Sequence, residues 1–262
     1  MRIALYSDLH LEMVTHRRGT LAWEPPALDV DVVILAGDIG SHTHGIEWAA
    51  TEFRRWPASP EIIYVVGNHE YYGAHIPELT AKMRNTAKCF GVHFLEKDVI
   101  EIAGVRFLGT TLWSDFKLYG SDERMVNSIH AARNYISDYS TIFGSNRGFI
   151  EPRDTIQLHA VAREFLEREL ARPFDGETVV VTHFAPHRGC VEARFDGGSL
   201  TPYFTVDMVP LMEKHHIAVW AFGHTHGNVD FVAEGGCRVI SNQRGYPHEQ
   251  SPGFRNDLVI EV

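Results

Sequence analysis

With 34 acidic residues against 24 basic ones, the 262-residue chain carries a formal net charge of -10, which opposes broad attraction to nucleic acid or an anionic membrane surface, since both are polyanions. A composition 44% hydrophobic and 22% charged suits one large α/β domain with a substantial core, or at most two domains. No apolar stretch approaches the length of a membrane span, and three widely spaced cysteines, Cys89, Cys190 and Cys237, read as reduced thiols rather than a disulfide framework.

In chain order, Arg2 to Tyr6 predicts a first strand that ends in Ser7-Asp8-Leu9-His10, and the early Asp8 is too polar for a signal-peptide core. A soluble cytoplasmic protein is the expectation. Residues 11 to 30 hold no periodic pattern, and Pro25-Pro26 points to an irregular surface excursion. Asp31 to Ala36 reads as a buried strand closed by Gly37-Asp38-Ile39-Gly40. From Gly45 to Trp56, Ile46, Ala49, Ala50 and Phe53 fall at helical spacing. Glu61 to Val66 is a third apolar strand, rich in branched side chains as buried parallel strands are, and it stops at Gly67-Asn68-His69-Glu70. This strand, loop, helix, strand grammar is that of right-handed crossovers.

A helix from about Ile76 to Phe90 follows, with Pro77 tolerated in its first turn. Short strands near Val92–Leu95, Val99–Ile102 and Val105–Leu108 come next, the last two joined at Ala103-Gly104 as a hairpin. Ser121 is placed to cap a helix through about Ile136, and Ser140 to Pro152 reads as a loop. A helix from about Arg153 to Leu170 carries Ile156, Ala160, Val161, Phe165 and Leu166 on one stripe. Residues 113 to 152 form an excursion near the strand ends, either a lid or specificity element or a plain surface insertion. Thr178 to Thr182 is a buried strand ending on His183, Val206 to His216 has helical character, and Ile217 to Phe222 is a strand ending in Gly223-His224-Thr225-His226. Val229–Ala233, Arg238–Ser241 and Leu258–Val262 close the chain as short strands expected to be antiparallel. No repeat or flexible linker interrupts residues 1 to 262, which read as a single domain.

Sixteen histidines is a high count, and their placement is informative. Five apolar strands end on residues of metal-ligand type: Asp8 with His10, Asp38, Asn68 with His69, His183, and His224 with His226. Singly, each has an ordinary explanation as a cap, a core imidazole or a turn residue. Together they are expected on the same edge of one sheet, at the carboxyl ends of its strands, where open α/β sheets place their chemistry. Residues two apart on extended chain point to one side, so Asp8-x-His10 and His224-x-His226 are each expected to address one site. Carboxylate, imidazole and one amide, without thiolate, suit Mn, Fe or Zn. Eight ligand slots exceed one ion's need, so two ions with a bridging carboxylate are indicated.

Asp8-x-His10, Gly37-Asp38, Gly67-Asn68-His69-Glu70, His183 and Gly223-His224-x-His226, all in order, resemble the motif series of the calcineurin-like metallophosphoesterase superfamily. The resemblance implies a four-layer α/β/β/α sandwich, two mixed central sheets flanked by helices, with metals at the strand carboxyl ends. It implies one metal held by Asp8, His10, Asp38 and His226, and another by Asp38, Asn68, His183 and His224, with Asp38 the bridge. By the same resemblance a metal-bridging hydroxide attacks phosphorus in line, and His69 protonates the departing alkoxide, a task suited to an imidazole of near-neutral pKa. Asn68 and His69 would then touch the phosphate. Glu70 reads as an anchor for the loop.

Departures from the motif series narrow the class. The protein serine/threonine phosphatase branch continues its second block as Gly-Asp-x-x-Asp-Arg-Gly, whereas here Gly37-Asp38-Ile39-Gly40-Ser41-His42 lacks that Asp and Arg. No tyrosine lies near Asp38, unlike the purple acid phosphatases. What remains resembles the bacterial cyclic-nucleotide phosphodiesterase group. The expected substrate is a small phosphodiester or phosphomonoester, nucleotides included, and no membrane or nucleic-acid partner is expected. A nuclease of the same superfamily and a silent metal-binding scaffold are the rivals. Arg244 is open between a contact to substrate phosphate and a structural pairing. Tyr72, Trp113, His187 and Tyr203 are open between a substrate pocket and ordinary packing, and His42, His44 and His75 read as surface.

Overall fold

The computed structural model describes residues 1–13, 23–144, 148–249 and 251–262. Residues 14–22 of the irregular excursion after His10, and the middle of the loop between Ser140 and Pro152, therefore lie outside the described residues. Eleven strands are described. They are β1 (Arg2–Tyr6), β2 (Val32–Ala36), β3 (Glu61–Val65), β4 (His93–Phe94), β5 (Asp98–Ile102), β6 (Val105–Thr110), β7 (Thr178–Thr182), β8 (Val219–Phe222), β9 (Asp230–Val232), β10 (Arg238–Ser241) and β11 (Val259–Glu261). They form two sheets, ordered β11-β1-β2-β3-β4 and β5-β6-β7-β8-β10-β9. Interior strands run parallel, and antiparallel strands close the edges at β11, β5 and β9. The architecture is the expected α/β sandwich of two mixed sheets.

Why the sheets face each other is visible in the alternation of buried side chains. Ile3 and Leu5, Val32 and Ile34, Ile63 and Val65, Phe107, Val179 and Val181, and Val219 and Ala221 point into one continuous apolar layer between the sheets. The residues of opposite parity, such as Tyr6, Leu35, Tyr64, Leu108, Val180 and Trp220, lie in the second cluster with the helices. A strand buried on both faces has no room for the polar-out alternation of a half-exposed sheet, so these strands read as uninterrupted apolar runs. Gly109 shares the parity of Phe107 and faces the inter-sheet layer. A Cβ there would stand 2.3 Å from Leu95 Cβ and 2.9 Å from a Val65 methyl carbon.

The helices are α1 (His44–Phe53), α2 (Ile76–Phe90), α3 (Asp122–Tyr135), α4 (Asp138–Thr141), α5 (Pro152–Leu170), α6 (Thr201–Phe204) and α7 (Val209–Lys214). Ile46, Ala49, Ala50 and Phe53 of α1 are buried as their spacing requires. Ser121 caps α3 by accepting from the Arg124 amide, and the β5–β6 hairpin turns at Ala103 and Gly104, both at positive φ, as a tight hairpin turn demands.

Three expectations are corrected. On α5 the buried stripe is Thr155, His159, Ala162, Phe165, Leu166 and Leu170, while Ala160 and Val161 face solvent. Polarity misleads there because Thr155 and His159 are buried with partners: Tyr139 Oη lies 3.1 Å from Thr155 Oγ1 and His159 Nδ1 is 3.2 Å from the Leu112 carbonyl. A hydrogen-bonded polar side chain occupies a core position at little cost. The closing strands are not all antiparallel, since β10 runs parallel to β8. His42 and His75 are half-buried rather than surface residues, His42 Nε2 lying 3.0 Å from the Tyr72 carbonyl. Among the described residues no helix is long and apolar enough to cross a membrane.

The crowding at Gly109 sets a test of the inter-sheet packing. Gly109→Ala is expected to lower stability by about 1–3 kcal/mol, the usual cost of overpacking a core. The urea midpoint checks this, and an unchanged midpoint would show that the sheets are not in the contact described.

Candidate metal centre

The carboxyl ends of β1, β2, β3, β7 and β8 converge, and the residues that follow them come from both sheets, not from the edge of one sheet as expected, because the two sheets pack face to face with these ends together. Three groups of potential ligand atoms result, each within 4.8 Å of one another: Asp8, His10 and His226; His10, Asp38 and His69; and Asp38, His183 and His224. Asn68 joins the third group, its Oδ1 lying 3.0 Å from His183 Nε2. Every ligand candidate singled out from the sequence is thus in one place, and Asp38 belongs to two of the groups.

Backbone shape permits this density. Gly37 has φ +88°, and a Cβ on it would stand 2.4 Å from His183 Nδ1. A Cβ on Gly67 would lie 2.1 Å from Asp38 Oδ1, so each glycine leaves space that a neighbouring site residue fills. Asp8, His10, Asp38, His224 and His226 all adopt positive φ, between 47° and 75°. The two alternating pairs therefore are not extended chain, as their spacing suggested. Each turns its backbone to aim its side chain, at a cost on the order of 1 kcal/mol per residue. Fixed partners hold these turns: Asp8 N–H donates to the Gly37 carbonyl at 3.0 Å, His10 N–H to the Asp38 carbonyl at 3.0 Å, His224 N–H to the Asp8 carboxylate at 3.0 Å and His226 N–H to Gln243 Oε1 at 2.6 Å.

Proton positions follow from what each nitrogen faces. His10 Nδ1 lies 3.0 Å from Glu12 Oε1, and His226 Nδ1 lies 2.5 Å from Glu249 Oε2. An ionised carboxylate only accepts, so both Nδ1 atoms carry hydrogen. The two Nε2 atoms then meet each other at 3.1 Å. His183 repeats the pattern: Nδ1 donates to the Ala36 carbonyl at 2.8 Å, and Nε2 faces Asn68 Oδ1 and, at 3.3 Å, Asp38 Oδ2. The Asn68 amide is turned this way because its Nδ2 donates to Asp138 Oδ1 at 2.9 Å. Acceptors held about 3 Å apart repel unless a proton or a cation lies between them.

At His183 and His69 the surroundings favour the charged form. Burial opposes it at His183, but the Asp38 carboxylate prevails and raises its pKa to about 10. At His69 burial likewise opposes charge, while Asp38 and Glu12 raise the pKa to about 9. His224 behaves oppositely. Burial and the charge on His183 hold it well below the ordinary imidazole value, and its Nε2 is buried without a hydrogen-bond partner. A neutral imidazole with a free lone pair is the ligand form of histidine. The donor set fits a divalent cation.

Glu70 is the anchor its position suggested. Its Oε2 accepts from the Asp38 and Gly67 amides at 3.1 and 2.9 Å, and its Oε1 from the Ile39 amide at 2.9 Å and the Tyr64 hydroxyl at 2.7 Å. It ties the turn after β2 to the turn after β3. His69 stacks on Tyr72 with ring centroids 4.2 Å apart. Its Nδ1 is 3.5 Å from Glu12 Oε1 and its Nε2 is 3.2 Å from the Tyr246 hydroxyl. Arg244 donates to the Leu9 carbonyl at 3.2 Å and does not line the cleft above the site, whereas Tyr246, two residues on, does. Of the four open aromatic and histidine positions, Tyr72 and Tyr203 line that cleft. Trp113 is buried between Tyr71 and Phe184, and His187 pairs with Glu234.

A sequence model of the calcineurin-like phosphoesterases matches residues 1–228. The chain belongs to that family. It is therefore a metal-dependent phosphoester hydrolase. An uncharacterized protein of Acanthamoeba polyphaga mimivirus is 25% identical over 275 residues, spanning 96% of this phosphoesterase and 94% of the viral protein. Two solved structures share the fold. A phosphopantetheinyl hydrolase from Mycobacterium tuberculosis has a TM-score of 0.72 at 20% identity, covering 99% of this chain and 95% of that one. A dimetal phosphatase from Danio rerio has a TM-score of 0.55 at 14% identity, covering 97% and 90%.

Glu12, Asp138, Tyr246 and Glu249 were not singled out from the sequence of this phosphoesterase. Glu12 stands two residues beyond His10, a proximity that offered a signal. Asp138 lies in the excursion of residues 113 to 152, where nothing marks it.

Each Glu70 oxygen faces two donors, so an amide cannot replace the carboxylate without turning N–H against N–H. Glu70→Gln is expected to cost about 1–3 kcal/mol for the buried donors left unmatched. Chemical unfolding of the metal-loaded protein measures this, and a neutral result would mean that the two turns are held by other contacts.

Proposed function

We propose that this phosphoesterase hydrolyses a small phosphodiester or phosphomonoester at a centre of two divalent cations. One cation is assigned to Asp8, His10, Asp38 and His226, the other to Asp38, Asn68, His183 and His224, with Asp38 shared. The observation that carries this reading is the set of Nε2 atoms aimed at other acceptors, with His224 Nε2 buried and unpartnered. Mn, Fe or Zn suit a set of imidazole, carboxylate and amide donors without thiolate. Such a pair, when bound, supplies positive charge to phosphoryl oxygens and acidifies water.

The protein's own groups are assigned as follows. Asn68 and His69 contact the phosphate. His69 holds a proton between Glu12 and Tyr246 and delivers it to the departing oxygen, which leaves as an alcohol. Asp138 holds the Asn68 amide with its oxygen inward, Glu12 and Glu249 set the tautomers of His10 and His226, and Arg244 supports the Leu9 carbonyl. A reducing, cytoplasmic setting agrees with the three cysteines, all free thiols. The complete donor set argues against a silent scaffold, and the net charge argues against a nuclease.

Hydrolysis of bis-p-nitrophenyl phosphate by protein loaded with Mn is the first test. Chelation should abolish the activity, and Asp38→Ala should reduce it more than about 100-fold, beyond the cost of losing a supporting outer residue. Wild type and variant equally inert across Mn, Fe and Zn would leave the scaffold reading in its place. For His69→Ala, metal content should be unchanged while kcat falls about 10²–10⁴-fold on alkyl esters. The fall should be smaller for p-nitrophenolate, which departs with little protonation. Equal losses on both would remove His69 as the proton donor. Phosphopantetheine esters and nucleotides belong in the substrate panel.

A further inference from the structure

The cleft of about 740 Å³ that opens on the metal centre has two unlike ends. At the inner end lie Asp38, Asn68, His69, His224 and His226. The apolar lining is Tyr135, Ile136, Val191, Phe195 and Leu200, together with Phe204, whose ring centroid lies 4.9 Å from that of His224. These come from two segments outside the sheets: the end of α3, and the stretch from the loop after β7 through α6. Tyr135 is 77% exposed and Phe195 51% exposed, so two of the large apolar side chains left in solvent stand over the one cleft that holds the metal-ligand cluster. Large exposed aromatics beside a reactive centre mark a binding wall.

Charge on the wall sharpens its meaning. Arg194 is the one Lys or Arg among the described residues that line the cleft, and Glu192 already engages it, with Nε at 2.9 Å and Nη2 at 3.2 Å. Its guanidinium also sits 4.5 Å over the Phe195 ring. Glu192, Glu249 and Asp138 line the same cleft. Among the described residues of the lining, a second anionic group on the substrate would meet carboxylates and no unpaired Lys or Arg, whereas an uncharged chain would cover apolar surface.

We infer that the substrate carries a single phosphoryl group joined to an elongated, uncharged, apolar moiety, which lies along Tyr135, Phe195 and Phe204. This rests on the phosphoesterase reading and narrows it: the carboxylates that line the cleft oppose nucleoside polyphosphates and nucleic-acid strands. The excursion of residues 113 to 152 thereby acts as a specificity element through Tyr135 and Ile136.

The test is a series of p-nitrophenyl alkyl phosphodiesters (methyl, butyl, octyl), which share one leaving group and differ only in the chain. For the Mn-loaded enzyme, kcat/KM should rise about two- to fourfold for each methylene that reaches the wall. A terminal carboxylate on the octyl chain should erase the gain. Phe195→Ser and Tyr135→Ser, both at exposed positions, should flatten the series, bringing the octyl ester down to within about twofold of the methyl ester. Turnover of the methyl ester with no dependence on chain length, or a dependence that both variants retain, overturns the inference and leaves the phosphoesterase reading intact. Metal-loaded protein that turns over no ester overturns both.

Discussion

Asp38 is a buried carboxylate at the seam between two sheets, and most of the surrounding structure exists to keep its charge matched. Its Oδ1 accepts from the His69 amide at 2.9 Å, and its Oδ2 faces His183 Nε2 at 3.3 Å with His10 and His69 further out at 3.9 Å. Burial pushes its pKa up, but the imidazoles of His183, His69 and His10 outweigh that and hold it well below the ordinary carboxylate range. An unmatched charge at such depth would cost several kcal/mol. Donors must therefore be brought to it from both sheets, and that requirement explains the glycines that let ring and carboxylate pass within contact of the main chain.

Holding those donors in place falls to a surrounding layer of carboxylates. Glu70 fastens two turns, Glu12 and Glu249 orient two imidazoles, and Asp138 receives the Asn68 amide together with the hydroxyls of Tyr72 and Tyr203. Each accepts, and Glu12, Glu249 and Asp138 thereby fix where the hydrogen of an imidazole or amide lies and which atom it turns to the centre. Five residues at positive φ are the conformational cost of this aim, and they persist because their amides are tied to other strand-end turns. Strain, tautomer and charge are one arrangement here.

The cleft above the centre has a different origin. Its inner end is made by strand termini, which the sheets fix. Its apolar lining is made by α3, α6 and the loop after β7, all outside the sheets. Loops and short helices set on a sheet framework are the parts through which one fold serves many substrates.

Most of the fold was legible from residue order alone. Strands buried on both faces appear as unbroken runs of Val, Ile and Leu, and several end in Gly followed by a ligand-type side chain, so most strands and every proposed metal ligand could be read without coordinates, while their division into two sheets came only with the family resemblance. The buried face of α5 could not, because Thr155 and His159 look like surface residues until Tyr139 and the Leu112 carbonyl supply their partners. Nor could the backbone at Asp8, His10, His224 and His226, since spacing does not report the sign of φ. Asp138, Glu249 and Tyr246 reach the site from 70 or more residues away from Asn68. A carboxylate's role as the acceptor that orients a distant amide or imidazole is a property of contact, and only the folded chain makes the contact.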